Sequence, residues 1–191
     1  LSFDSFLKDF FAVFINHNFC YAISKIQTVE NMRTVLEIAK NILQPSQFHQ
    51  LLSKRSGVGG NNSLQMAIST RNFEIFRIVW SFFKSNNKAI LDGILHKNAD
   101  RVNSLYQVIQ IQHYEMLQIM LEYFSVDLEE EQLMHIFENT GKTNYKLLDI
   151  AMLFFNQKTF TLLLDFVQNH LSHENQKAII SGYIISLAVS K

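Results

Sequence analysis

The sequence predicts an all-α protein, an α-solenoid of four to five stacked helical repeats of about 37–45 residues each. The main observation is a five-position apolar stripe that recurs at the spacing of one buried helix face. A second is a shorter apolar segment ahead of each stripe. Because no repeat can bury its apolar face alone, neighbouring repeats are expected to stack in a row. The three stripes are Ile75, Ile78, Val79, Phe82 and Phe83; Met116, Ile119, Met120, Tyr123 and Phe124; and Thr159, Leu162, Leu163, Phe166 and Val167.

The shorter segments define the repeat boundaries. Their leading anchors lie 37 to 45 residues apart, at Phe19, Leu64, Leu105, Leu148 and Ile185. The predicted repeats within one domain over 1–191 are therefore 17–59, 60–100, 101–143 and 144–182, with 183–191 opening a further one. Residues 1–16 are expected to form an N-terminal cap or the end of a preceding repeat. A start without Met and an end inside an apparent helix suggest a piece of a longer protein.

Each repeat also carries a third, short amphipathic segment, at 46–52, 88–95, 128–137 and 175–180. These segments predict three helices per repeat. Asp127 and Glu130 have the spacing of a capping box, and Pro45 stands at a predicted helix entry.

The template repeat reads Gly60-x-Asn-Ser-Leu-Gln-x-Ala67, followed by Asn72-Phe-Glu-Ile75 and a run of aliphatic residues. This order resembles the ankyrin repeat, although Pro is absent from the position of the ankyrin Thr-Pro pair, where this chain has Asn62-Ser63, and Gln65 replaces the usual His. The Gly between the two ankyrin helices is replaced by Arg71, Gln112 and Phe155, and the residue that follows is expected to ease the turn, since Asn tolerates left-handed backbone. An armadillo-like stack of three-helix repeats is the alternative architecture.

Composition excludes several classes of function. With 17 basic and 17 acidic residues the chain has no basic field for nucleic acid, and its single cysteine, Cys20, favours a reducing compartment such as the cytoplasm. A microbial source would add delivery into a host cell. The apolar runs are too short to cross a membrane. His17 with Cys20, and His170 with His173, offer only two ligands each, whereas zinc needs three or four, so no metal site is predicted. The sequence predicts no catalytic residue, no cofactor and no enzyme activity.

The resemblance implies a protein-binding module whose contacts come from the loop tips and from the residues that close each first helix. The predicted contact residues are Asn61, Ser69, Thr70, Val102, Gln110, Leu153 and Phe154. The alternative is a structural spacer or regulatory arm of a larger multidomain protein, such as a microbial effector, whose activity lies elsewhere. Exposed solenoid ends also leave homo-oligomerisation open.

Overall fold

The protein is all-helical throughout the part of the chain that the computed structural model describes, namely residues 19–20, 23, 26, 28–55, 59–85, 87–138, 147–154 and 156–180. The predictions for 1–16, His17, Phe155 and 183–191 fall outside these residues. Two compact units divide the chain, Leu1–Asp100 and Arg101–Lys191. The single domain predicted over 1–191 and its division into repeats stay predictions.

In unit 1 the described residues include five helices, in addition to the helical residues 19, 20 and 23. They are α1 (Val29–Ile42), α2 (Pro45–Ser53), α3 (Ser63–Ser69), α4 (Phe73–Lys84) and α5 (Asn87–Leu95). Counterpart helices of the two repeats pack together, α1 on α4 and α2 on α5, while α4 also packs on α3 and on α5.

Unit 2 repeats this order of helices. They are α6 (Ser104–Gln110), α7 (Tyr114–Asp127), α8 (Glu130–Glu138), α9 (Leu147–Leu153) and α10 (Gln157–His170), followed by helical residues 173–180. Here α6 packs on α9 and α7 on α10, so the first and second helices again meet their counterparts. The predicted third helix of each repeat is confirmed, and Pro45 does open α2.

Burial follows the predicted stripes. The five stripe positions of α4 are all buried, and the anchors Leu64, Leu105 and Leu148 are at most 1% exposed. Ala67 and Ala151 are fully buried, which is consistent with close helix approach at these small residues. The other two stripes are buried at four of their five positions each, whereas Ile119 and Leu162 are half-buried. The stripes therefore supply much of the core, but not every stripe position is part of it.

Two local predictions are wrong. Asp127 ends α7 instead of capping α8; the backbone N–H of Glu129 is satisfied by Gln132 Oε1 at 2.9 Å. The left-handed backbone between the first and second helices falls on Arg71 (φ 55°) and Gln112 (φ 58°), the positions of the ankyrin Gly. Asn72, at φ −94°, instead caps α4 by accepting hydrogen bonds from two backbone N–H groups.

Candidate functional site

Buried asparagines fix the start of the first helix in two repeats. Asn62 is fully buried; its Oδ1 accepts from the Gln65 backbone N–H at 2.9 Å, and its Nδ2 donates to the Gly93 carbonyl at 2.8 Å. Asn103 stands at the same place in the next repeat, is fully buried, and accepts from the Tyr106 N–H at 2.9 Å. Each asparagine thus satisfies an N–H group that the helix itself leaves unpaired.

A second set of hydrogen bonds fastens the loop before α3. Gln65 Nε2 donates to the His96 carbonyl at 3.1 Å, and His96 Nε2 lies 2.7 Å from the Gly60 carbonyl oxygen. Burial lowers the pKa of His96, which favours a neutral ring that donates from Nε2. Asn98 Nδ2 donates to Asn61 Oδ1 at 2.9 Å. The tip residue Asn61 is therefore half-buried and held in one orientation.

In unit 1 the predicted contact residues lie at the two ends of α3. Asn61 precedes the helix, whereas Ser69 closes it and is exposed, its Oγ donating to the Gln65 carbonyl at 2.8 Å. Thr70 is half-buried, and its Oγ1 donates to the Ala67 carbonyl at 2.7 Å. With about 1.5 Å of rise per residue, the two groups are roughly 10 Å apart along the helix. They form a small polar surface rather than a single cluster.

In unit 2 three of the four predicted contact residues reach the surface. Gln110 is exposed at the end of α6, Leu153 is 51% exposed at the end of α9, and Phe154 is half-buried. Val102 is only 5% exposed and belongs to the core. Binding by the exposed residues stays a prediction.

Near the exposed contact residues of unit 2, the structure also places residues that the sequence did not single out. The half-buried Tyr106 packs edge-to-face against Phe154, with ring centroids 6.1 Å apart. Gln112 Nε2 donates to the Phe154 carbonyl at 2.7 Å and so ties the ends of the first helices of the two repeats. No local pattern in the sequence pointed to this role for Tyr106. We call the surface formed by Tyr106, Gln110, Gln112, Leu153 and Phe154 the Tyr106–Phe154 patch.

The position that closes each first helix is exposed in all three repeats that define it. Ser69, Gln110 and Leu153 occupy this equivalent place and differ in chemistry, from hydroxyl to amide to aliphatic. Three positions earlier in the same helices, Gln107 and Ile150 are buried and Met66 is half-buried. The repeat thus keeps its packing residues and its free surface position separate.

Potential metal ligands are not gathered into a site within the described part of the chain. No group of three or more potential metal ligands occurs among those residues. Cys20 is 4% exposed, its Sγ donates to the Lys54 carbonyl at 3.1 Å, and burial raises the pKa of its thiol. A thiol held neutral in this way is a poor nucleophile.

Over the same described residues, every helix is too short or too polar to cross a lipid bilayer. Comparison of the chain with family models, with curated protein sequences and with solved structures finds no match, so the likeness to ankyrin repeats rests on the residues of the sequence.

Proposed function

We propose that this chain is a non-catalytic, ankyrin-like solenoid module that binds a partner protein, and that the Tyr106–Phe154 patch is a principal contact surface. The packing of counterpart helices within each unit supports the stacked-repeat architecture. Two observations carry the binding proposal: the exposed side chain of Leu153, and the ring pair of Tyr106 with Phe154, the residue that follows Leu153 in the chain.

The chemistry of the patch suits a protein partner. Aromatic residues are enriched in the buried centres of protein interfaces, where a few such anchors supply most of the binding free energy. Gln110 and Gln112 add amide groups, and none of the five residues of the patch carries a charge. Recognition by shape and apolar contact therefore fits the patch better than recognition by charge.

Preorganisation favours binding as well. The Gln112 hydrogen bond holds the Phe154 backbone, and the ring of Phe154 is braced by Tyr106. Fewer side-chain rotamers then have to be frozen when a partner docks, which reduces the entropic cost of association. Asn61, Ser69 and Thr70 remain the proposed contacts of unit 1.

The proposal is tested by comparing two lysine substitutions at exposed apolar residues of unit 2. Leu153→Lys places a charge in the patch, whereas Val126→Lys changes a side chain that is 81% exposed near the end of α7. Proteins captured by the wild-type chain would be quantified by mass spectrometry for both variants, and the affinity of any captured partner measured by calorimetry. We expect Leu153→Lys to weaken that partner at least about tenfold and Val126→Lys to leave it unchanged.

The alternatives give different results. If the chain is a structural spacer, no captured protein will depend on Leu153. If Leu153→Lys and Val126→Lys lower the affinity for the partner equally, the assignment of the Tyr106–Phe154 patch as the contact surface is wrong. If the binding species is a second copy of the chain, light scattering will show a dimer that Leu153→Lys dissociates.

A further inference from the structure

Unit 1 contains an open cavity of about 290 Å³ between the end of α1, one face of α2 and the end of α4. Its floor is mostly apolar, with Phe48 and Phe82 packed edge-to-face at 5.9 Å between ring centroids. Residues with the spacing of one helix face, Phe48, His49 and Leu52, supply the α2 wall. The cavity is distinct from the residues of the proposed protein-binding surface.

A cation stands at this cavity. The ammonium group of Lys40 lies 5.7 Å from the centre of the Phe82 ring, which places the charge above an apolar wall. Within the described residues Lys40 takes part in neither an ion pair nor a hydrogen bond. Its neighbour one helical turn back, Glu37, is exposed and is not paired with it. The charge of Lys40 is therefore available to an anion that enters the cavity.

The remaining charged groups bias where that anion would sit. His49 Nε2 lies 3.5 Å from Asp92 Oδ2, so the α5 side of His49 already holds a carboxylate. A second carboxylate would be repelled there and attracted towards Lys40. Ser85, also in the wall, uses its hydroxyl hydrogen to donate to the Phe82 carbonyl at 2.7 Å. An entering carboxylate thus has Lys40 as its favoured partner.

We propose that this cavity binds a small aliphatic monocarboxylate, with its chain over Phe48 and Phe82 and its carboxylate at Lys40. At ~30 Å³ for each water-sized group, the volume admits about ten non-hydrogen atoms. An eight-carbon chain with one terminal carboxylate matches that size. The single cation favours a monoanion, and the apolar floor supplies the larger part of the affinity.

The test uses octanoate, with octanol and octylammonium as probes of the same chain length. Methyl and amide resonances of the whole protein would be followed by NMR during titration. We expect octanoate to saturate with a submillimolar Kd and to shift the signals of Leu43 and Leu52, which line the cavity. Octanol should bind more weakly, and octylammonium more weakly still because Lys40 repels it.

Three variants make the assignment specific. Lys40→Met keeps the apolar stem and removes the charge, so the affinity for octanoate should fall about fivefold while the affinity for octanol is unaffected. Lys84→Met removes a nearby exposed lysine that is outside the cavity wall and should change neither. Leu43→Trp, at a half-buried position of the wall, should fill the space and abolish binding of both ligands; circular dichroism establishes that each variant is folded.

Several outcomes overturn the proposal. If the resonance shifts caused by octanoate do not saturate, or if they occur mainly in unit 2, the cavity is not the binding site. Equal affinity for octanoate and octylammonium, or no effect of Lys40→Met on octanoate, would remove the role of the cation. If octanoate fails and an N-acetylated apolar tetrapeptide with a free carboxyl end saturates, the occupant is a peptide terminus and the small-molecule assignment is wrong.

Discussion

Replacement of Asn62 by alanine tests whether the repeat is fastened by its buried asparagine. The side chain caps α3 through the Gln65 N–H and bridges to the Gly93 carbonyl of α5, and it is fully buried. Loss of a helix cap costs about 1 kcal/mol. Loss of the buried hydrogen bond to the Gly93 carbonyl adds about 0.5–1.5 kcal/mol. We therefore expect Asn62→Ala to lower the free energy of unfolding by about 1.5–2.5 kcal/mol.

Asn72→Ala is the matched control. Asn72 also caps a helix, accepting from the N–H groups of Glu74 and Ile75 at 3.1 Å each, but it lies partly exposed at the start of α4. Its loss removes only the cap, so we expect a decrease of about 1 kcal/mol. Urea unfolding followed by circular dichroism measures both values. Equal losses in the two variants would refute the reasoning that the bridge to Gly93 stabilises the unit.

Three further predictions use the same measurement. Thr159 is 1% exposed and its hydroxyl has no hydrogen-bond partner within the described residues, so Thr159→Val should stabilise the protein by ~1 kcal/mol, while exposed Thr161→Val should change it little; a loss at position 159 would contradict this. Arg71→Gly should raise stability by up to ~1 kcal/mol, because Arg71 has a φ of 55°, and Arg71→Val should lower it; the opposite order would refute the left-handed assignment. Because burial lowers the pKa of His96 from its ordinary value of 6.5, the unfolded chain binds a proton at this residue before the folded chain does as the pH falls. The free energy of unfolding should therefore be at its full value above pH 6.5, decrease as the pH falls to the lowered pKa, and level off below it. His96→Gln should flatten this dependence.

Helix positions could be predicted from the sequence because they follow from burial. On a helix, a stripe such as Ile75, Val79 and Phe82 is removed from water only when that one helix face packs against other helices. The structure buries all three residues. The third helices were equally predictable, since short amphipathic runs recur at the same place in each repeat. Periodicity thus determined most elements without any knowledge of contacts between them.

Turns and caps were less predictable because one residue type serves two purposes. Asparagine tolerates left-handed backbone, but its side chain also caps helices well. Asn72 takes the second role, and the turn then falls to Arg71 although arginine has no preference for it. A shift of one residue in the helix start decides between these outcomes, and hydrophobic periodicity does not resolve such a shift.

The candidate site could be located only in part for a related reason. Gln110 and Leu153 followed from their place at the ends of first helices, but Val102 is buried and Tyr106 was missed. Whether a loop residue points inward depends on the turn that precedes the helix. The contact of Tyr106 with Phe154 joins residues 48 positions apart in the sequence, and no local pattern indicates such a pair.

The exposed position at the end of each first helix gives the protein-binding proposal its physical basis. Ser69, Gln110 and Leu153 stand at equivalent places, and exchanging their chemistry costs little packing because the core lies on the other positions of the same helices. A substitution there alters the surface offered to a partner without disturbing the stack. A change at the anchors Leu64 or Leu105 would instead open a cavity costing about 2–5 kcal/mol. In a stacked-repeat protein, specificity is therefore expected at the first set of positions and stability at the second.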